Sequence, residues 1–472
     1  MLTRVARRRL APPAALPSFL RQLASDEYRP PPLRPRDRRA RARSLERGLA
    51  HAPRLGLDAA RYWAERRGTA AGLRALNEAA GRDFYRVPPE AELDAAAADA
   101  CLGGSEPVID VQTHFVGDRP ECDRWNRDLR AMYAALAPAW WRGLDAVTAY
   151  DMTSWLRCVF GESDTDVAVL TSAPGLGPER MLYDRELAGT RALFERLGGS
   201  GRLLHHCVVE PDRAGAVDAM VDAAERFRPA AWKVYTLGLQ RSDGSLTPGW
   251  WLDGESTGIP FLERARALGV RRVCAHKGIS YGVPTGSPRD VGPAAAAFPD
   301  IDFLVYHSGY EIAAGEAPEE GPYSEATAGR GVNRLLASLG AAGLGPGDNV
   351  YAELGSTWFC LIRRPEEAAH VLGKLLVALG EDRVLWGTDS IWYGPPQPAI
   401  DAFRAFQIPE ELRERHGYPE LTPAIKAKIL GANAARVYGI DLDAVRAQRE
   451  AGDLAWLREA TAEVAAHGVP EL

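Results

Sequence analysis

The 472-residue chain has no run of about 18 apolar residues, which excludes a membrane-spanning helix. Its six cysteines (Cys101, Cys122, Cys158, Cys207, Cys274 and Cys360) are scattered, with no C-x-x-C pair, so neither a disulfide framework nor a thiolate zinc site is expected from them. Cys207 and Cys274 lie inside apolar runs, where buried, inert thiols are expected. The first apolar run is not followed by G-x-G-x-x-G, and there is no P-loop and no G-x-S-x-G elbow. These absences set aside nicotinamide, flavin, nucleotide and serine-hydrolase chemistry.

What is present is uneven in charge. Residues 1–50 carry 13 Arg, no Lys and four acids, a balance of +9 in a chain whose net charge is −6, so the remainder is acidic. The basic arm is Pro-rich and lacks interleaved aromatics, so a nucleic-acid partner is not expected. Arg7-Arg8-Arg9 followed by an apolar stretch has the look of an export signal, but three prolines and then Arg21 interrupt it, and a cytoplasmic location is expected. Residues 1–43 read as an Arg/Pro-rich arm. Residues 44–105 read as a helical extension, because Leu and Ala recur at three- and four-residue steps between 44 and 80. Residues 442–472 read as a C-terminal helix.

From about 106 to 441 short apolar runs alternate with helical stretches. Eight such runs begin near 107, 165, 202, 230, 271, 302, 349 and 383, far enough apart for a strand, a crossover helix and two loops. The count predicts an α/β fold, a (β/α)8 TIM barrel with a helical N-terminal extension. An open doubly wound sheet is the alternative, but its glycine fingerprint is missing. Six of the runs carry polar or titratable groups after an apolar start: Gln112 and His114, Lys233, His276, His307, Glu353 and Asp389. In a barrel the strand C-terminal ends form one face, so these side chains converge, and together they make a nitrogen and oxygen set suited to zinc, manganese or iron. Glu353 reads equally as a substrate contact and as a salt-bridged barrel residue. The adjacent Arg363 and Arg364 are expected to be solvated in a surface loop. Trp358, Trp386, Trp392 and Tyr393 would either line an aromatic pocket or serve as packing.

The ordered segments VQTH, WKVYT, AHKG, YHSG and WGTDS, followed by KILGANAARVYGI, resemble the amidohydrolase superfamily, and most closely its amidohydrolase-related branch that includes aromatic-acid decarboxylases. The resemblance implies a metal-dependent TIM-barrel enzyme. It puts Gln112 and His114 at the first-strand H-x-H, His276 at the fifth-strand ligand, His307 at the sixth-strand histidine and Asp389 at the eighth-strand acid. Gln112 departs from the pattern, being neutral and a weaker donor than imidazole. Lys233 stands where some relatives carry a carbamylated lysine bridging two metals; a lysine at the barrel mouth or paired with Glu353 is the alternative. The implied cofactor is a divalent metal, zinc by preference, with manganese or iron as alternatives. The expected reaction is hydrolysis of an amide, ester or lactone of a small molecule, with His307 and Asp389 catalytic and Asp389 the general acid/base. Two alternatives stand beside it: decarboxylation of an aromatic or unsaturated acid, and a metal-free barrel serving as a binding protein. A small-molecule substrate is expected, with no nucleic-acid or membrane partner; self-association into a homo-oligomer is open.

Overall fold

The structure is a computed structural model that describes residues 16–25, 27–28, 32–117, 122, 150–173, 180–196, 198–238, 248–279, 283–312, 319–455, 457 and 459. Arg7-Arg8-Arg9 and most of the last 17 residues therefore lie outside the described residues.

Eight parallel strands run in sequence order: β1 (Val108–Thr113), β2 (Thr165–Leu170), β3 (Leu203–Val209), β4 (Ala231–Tyr235), β5 (Arg272–His276), β6 (Asp302–Tyr306), β7 (Val350–Glu353) and β8 (Val384–Leu385). β8 returns to β1 through hydrogen bonds from Val111 N to Trp386 O (3.1 Å) and from Asp389 N to Gln112 O (2.9 Å), together with a parallel bridge between Thr113 and Ser390. The expected TIM barrel is thus the fold, and the eight strands fall on the eight apolar runs. These strands are buried on both faces, which is why they read as nearly continuous apolar runs.

The barrel interior is filled by Ile109, Val111, Val167, Val169, Cys274, Leu304 and Tyr306, closed at one end by Ala434, Val437 and Val445 of the last helices. Helices such as Ala216–Phe227, Gly258–Ala267 and Pro365–Leu379 follow their strands and bury the outer faces in a second, larger core. No helix of the described residues is long and apolar enough to cross a membrane. The six cysteines are free, and Cys207 and Cys274 are fully buried.

The N-terminal region departs most from expectation. Helix α1 spans Pro35–His51 and so begins inside the stretch expected to be an arm. Proline at its first position, the Asp37 carboxylate accepting from Arg34 N (2.9 Å) and the good helix propensity of arginine explain the early start. Ala40, Ser44 and Gly48 recur at four-residue steps on its buried face, and a Cβ on Gly48 would lie 2.3 Å from the Trp63 ring. Trp63 belongs to α2 (Ala59–Ala64), which leads into α3 (Arg66–Ala80), the helix packed on α1. At the other end the expected C-terminal helix is present over Leu442–Ala451, ended by Gly452 in the left-handed conformation, and most of the rest of that segment lies outside the described residues. Ahead of α1, residues 16–25 form an irregular strap whose Phe19, Leu20 and Leu23 are buried, with Phe19 and Leu20 against Gly72 of α3. An apolar sequence that reads as part of a signal is here part of the core.

Because Phe19 is fully enclosed, Phe19→Ala is expected to cost about 3–5 kcal/mol. Denaturant unfolding of the full chain checks this; a cost below about 1 kcal/mol would mean that the strap is not seated.

Candidate metal centre

The strand ends deliver the expected residues to one place. His114 follows β1, His276 ends β5, His307 follows β6, Glu353 ends β7 and Asp389 follows β8, and none of their side chains is more than 3% exposed. Gln112 reaches the same place through an irregularity. Its neighbours Ile109 and Val111 already face the interior, so strict alternation would turn Gln112 outward, but the β1–β2 register shifts between Asp110 and Thr113.

Gln112 Nε2 donates to Asp389 Oδ1 at 3.0 Å, and Asp389 Oδ2 accepts from the Ser356 hydroxyl. His114 Nδ1 lies 2.9 Å from the Thr171 carbonyl, which only accepts, so Nδ1 carries the hydrogen and Nε2 presents a lone pair. That Nε2 sits 3.1 Å from Asp389 Oδ1, two acceptors facing one another, and a proton or a cation must lie between them. His307 repeats the pattern: Nδ1 donates to Gly355 O at 2.7 Å, and Nε2 is buried without a hydrogen-bond partner. A histidine anchored through one nitrogen to a carbonyl, with the other nitrogen free, is the arrangement metal-binding imidazoles adopt.

The backbone is strained around these groups. His307, Ser308, Ser356 and Asp389 all have φ between +54° and +66°. Non-glycine residues hold such values only where the surroundings impose them. Glu353 is one source of that constraint. Its Oε2 accepts from His307 N (3.1 Å) and its Oε1 from Gly355 N (2.6 Å), so it fixes the turn carrying His307. It makes no ion pair with Lys233 among the described residues, and a Cβ on Gly387 would lie 1.7 Å from its Oε1. Lys233 does not reach for the mouth. Its Nζ sits 3.4 Å from the Tyr306 ring centroid and 4.8 Å from that of Tyr235, without a hydrogen bond, and burial pushes its pKa down to about 8.

One residue of the site was absent from the sequence reading. Glu27, at the end of the strap, places Oε1 2.8 Å from His276 Nε2 and Oε2 3.8 Å from His307 Nε2. Within a sequence SDEYRP in an Arg/Pro-rich arm nothing distinguishes this glutamate, since neither spacing nor periodicity ties it to a strand end. Tyr28 beside it bonds Tyr393 Oη (3.1 Å), which bonds Ser356 and so reaches Asp389. Tyr393 is therefore part of the polar site, whereas Trp358, Trp386 and Trp392 are buried packing. Arg363 and Arg364 are buried, not solvated: Arg363 holds the strap carbonyl of Arg21 (3.2 Å), and Arg364 bonds Tyr310 Oη (3.3 Å) and Glu367 (3.4 Å).

Electrostatically the site calls for a cation. Burial pushes Glu353 up to about 8 and, despite His307, Glu27 up to about 7; it lowers His276 to about 3 and His307 to about 4. Asp389 behaves differently: burial opposes its charge, but His114, His307 and Ser356 together hold it below the usual carboxylate value. Burial thus favours the protonated forms of Glu353 and Glu27, and a cation bound beside them would favour their ionised forms. Glu27, His276 and His307 present ligand atoms within 4.8 Å of one another. Ligand atoms about 2.0–2.2 Å from a tetrahedral zinc stand roughly 3.3 Å apart, and the 2.8, 3.1 and 3.8 Å separations found here bracket that spacing. The donor set fits a divalent metal.

The amidohydrolase family model matches residues 184–440, more than half of the chain. The chain belongs to the amidohydrolase family. Its members are enzymes that commonly hold a divalent metal. Comparison with curated proteins finds no match. Among solved structures, the amidohydrolase-family barrel is similar to an uncharacterized TIM-barrel protein from Bordetella bronchiseptica (14% identity, covering 71% of this chain and 99% of that one, TM-score 0.47). It is also similar to 5-carboxyvanillate decarboxylase from Sphingomonas paucimobilis (16%, 71% and 100%, TM-score 0.40) and to 2,6-dihydroxybenzoate decarboxylase from Rhizobium (15%, 71% and 100%, TM-score 0.41).

The raised carboxyl of Glu353 has a consequence for stability. Its folded form keeps a proton that the unfolded chain releases above its ordinary pKa of 4.5, so its contribution is present at low pH and lost as pH rises through about 8. His276 and His307 act in the opposite sense, but only below their ordinary 6.5. Between pH 6.5 and 8 Glu353 therefore contributes a loss of stability as pH rises, and the difference in melting temperature between metal-stripped wild type and Glu353→Gln is expected to fall across that window. A difference that stays constant from pH 6.5 to 8 would contradict the assignment.

Proposed function

We propose that the protein is a metal-dependent hydrolase that cleaves a C–N or C–O bond in a small-molecule amide, ester or lactone. The observation that carries this reading is the pair of facing acceptors, His114 Nε2 and Asp389 Oδ1 at 3.1 Å, with the far nitrogen of the ring tied to Thr171 O. His114, His276 and Asp389 would hold a divalent cation, zinc by preference, with manganese or iron as alternatives. When bound, such an ion lowers the pKa of water toward neutrality and polarises a carbonyl oxygen.

The remaining work belongs to the chain itself. Asp389 is held below the usual carboxylate pKa despite its burial, with Ser356 and Gln112 donating hydrogen bonds to its oxygens, so it begins the reaction ionised and able to accept a proton from water. Gln112 keeps the carboxylate oriented through its Nε2, and Ser356 holds the other oxygen. His307 offers a buried lone pair at Nε2, suited to accept a hydrogen bond from the attacking water or a substrate hydroxyl. Its imidazole is kept neutral by burial and positioned by Gly355 O and, through the backbone, by Glu353. Asp389 can then return its proton to the departing nitrogen or oxygen. An acid that starts protonated, as delivery of a proton to carbon in a decarboxylation would need, is the opposite of what Asp389's surroundings favour. A binding protein without metal would have little reason to keep unpartnered nitrogens on His276 and His307 in a closed barrel mouth.

Elemental analysis of protein purified without chelator or nickel is expected to find about one equivalent of zinc, manganese or iron; protein that is metal-free and refuses added metal would overturn the reading. On a panel of lactones, amides and esters, hydrolysis is expected, with Asp389→Asn lowering kcat by at least about 100-fold. Release of CO2 from aromatic carboxylates without hydrolysis of any panel member would replace hydrolysis by decarboxylation.

A further inference from the structure

Glu27 does not hang in the barrel mouth by accident. The strap before it is seated through Phe19, Leu20 and Leu23 and tied by Arg363 to Arg21 O, and the next residue, Tyr28, bonds both Tyr393 Oη (3.1 Å) and Cys360 Sγ (3.3 Å). The carboxylate between these anchors is 19% exposed. It faces two fully enclosed imidazoles: its Oε1 lies within hydrogen-bond distance of His276 Nε2 (2.8 Å), while its Oε2 and His307 Nε2, 3.8 Å apart, both lack a hydrogen-bond partner. Two unsatisfied acceptor atoms facing each other beside the His276–Glu27 contact are costly unless something binds them.

The position from which β1 could contribute a further ligand is occupied by Gln112, whose Nε2 is committed to Asp389 and whose Oε1, a neutral donor, is unpartnered. With Gln112 uncharged, Asp389 is the sole carboxylate that the proposed ligand set His114, His276 and Asp389 brings to a divalent ion. We infer that Glu27 is a ligand of that ion, supplying from the N-terminal extension the second anionic donor that Gln112 does not provide. The inference rests on the metal-dependent reading above. The extension is then part of the metal centre and not a cover laid over a finished barrel, and the chemistry of the set, imidazole with two carboxylates, suits zinc, manganese or iron(II).

The test uses the full chain, stripped of metal and titrated with zinc(II) in competition with a chromophoric chelator, and with cobalt(II) for its visible spectrum. Glu27→Gln is expected to weaken zinc binding at least about 10- to 100-fold and to change the cobalt band intensities, and Glu27→Gln combined with Gln112→His to recover most of the lost affinity. If Glu27→Gln keeps wild-type affinity and spectrum while His276→Ala loses both, Glu27 is no ligand and the metal-dependent reading stands without it. If Glu27→Gln leaves metal binding unchanged but raises turnover, the strap is a plug and the inference is overturned. If wild-type protein takes up neither metal, both readings fall together. Should Glu27→Gln fail to fold, judged by its thermal melt, Glu27→Asp keeps the charge on an arm one methylene shorter; an altered cobalt spectrum with at least about tenfold weaker binding supports the inference, and an unchanged spectrum overturns it.

Discussion

The site depends on how the eighth strand is joined to the first. Asp389 N bonds Gln112 O, and Gln112 Nε2 bonds Asp389 Oδ1, so backbone and side chain of the same two residues close the barrel and set its central carboxylate. The strained φ of Asp389 and the register shift in β1 are the local costs of that junction. Because Gln112 is spent on orienting Asp389, its neutrality is not simply a lost ligand. An imidazole there would alter the acid as well as the metal site.

Around this junction buried charge is managed by fixed hydrogen bonds and not by solvent. Two backbone amides hold Glu353, two carbonyls hold the far nitrogens of His114 and His307, and ring faces hold Lys233. Each partner removes rotational freedom from a group that otherwise has several choices of tautomer or rotamer, which is what positioning for catalysis requires. The result separates the carboxyls: Asp389 is kept ionised, while Glu353 and Glu27 hold protons more tightly than usual.

Most of the barrel was legible in the sequence, because strand formation there is local. Each run is apolar, bounded and spaced from the next, and the polar residues at its end stand out against it; hence His114, His276, His307 and Asp389 could be picked out and are found together. Glu353 could be located but its work could not, since the amides it accepts from belong to the turns after β6 and β7. Arg363 and Arg364 misled for a related reason: adjacent arginines read as solvated unless a distant carbonyl and carboxylate are known to await them.

By itself, then, the sequence determined the fold class, the eight strands and the set of side chains at their ends, all consequences of periodicity and spacing along a short stretch of chain. The tertiary structure alone decided that an Arg/Pro-rich arm becomes a buried strap and a helix, that Gln112 Nε2 is committed to Asp389, and that Glu27 meets His276 across 249 residues of sequence. Such a contact leaves no periodic trace. It depends on how much apolar surface the strap buries against α3 and the barrel mouth, a quantity that exists only once the chain has folded.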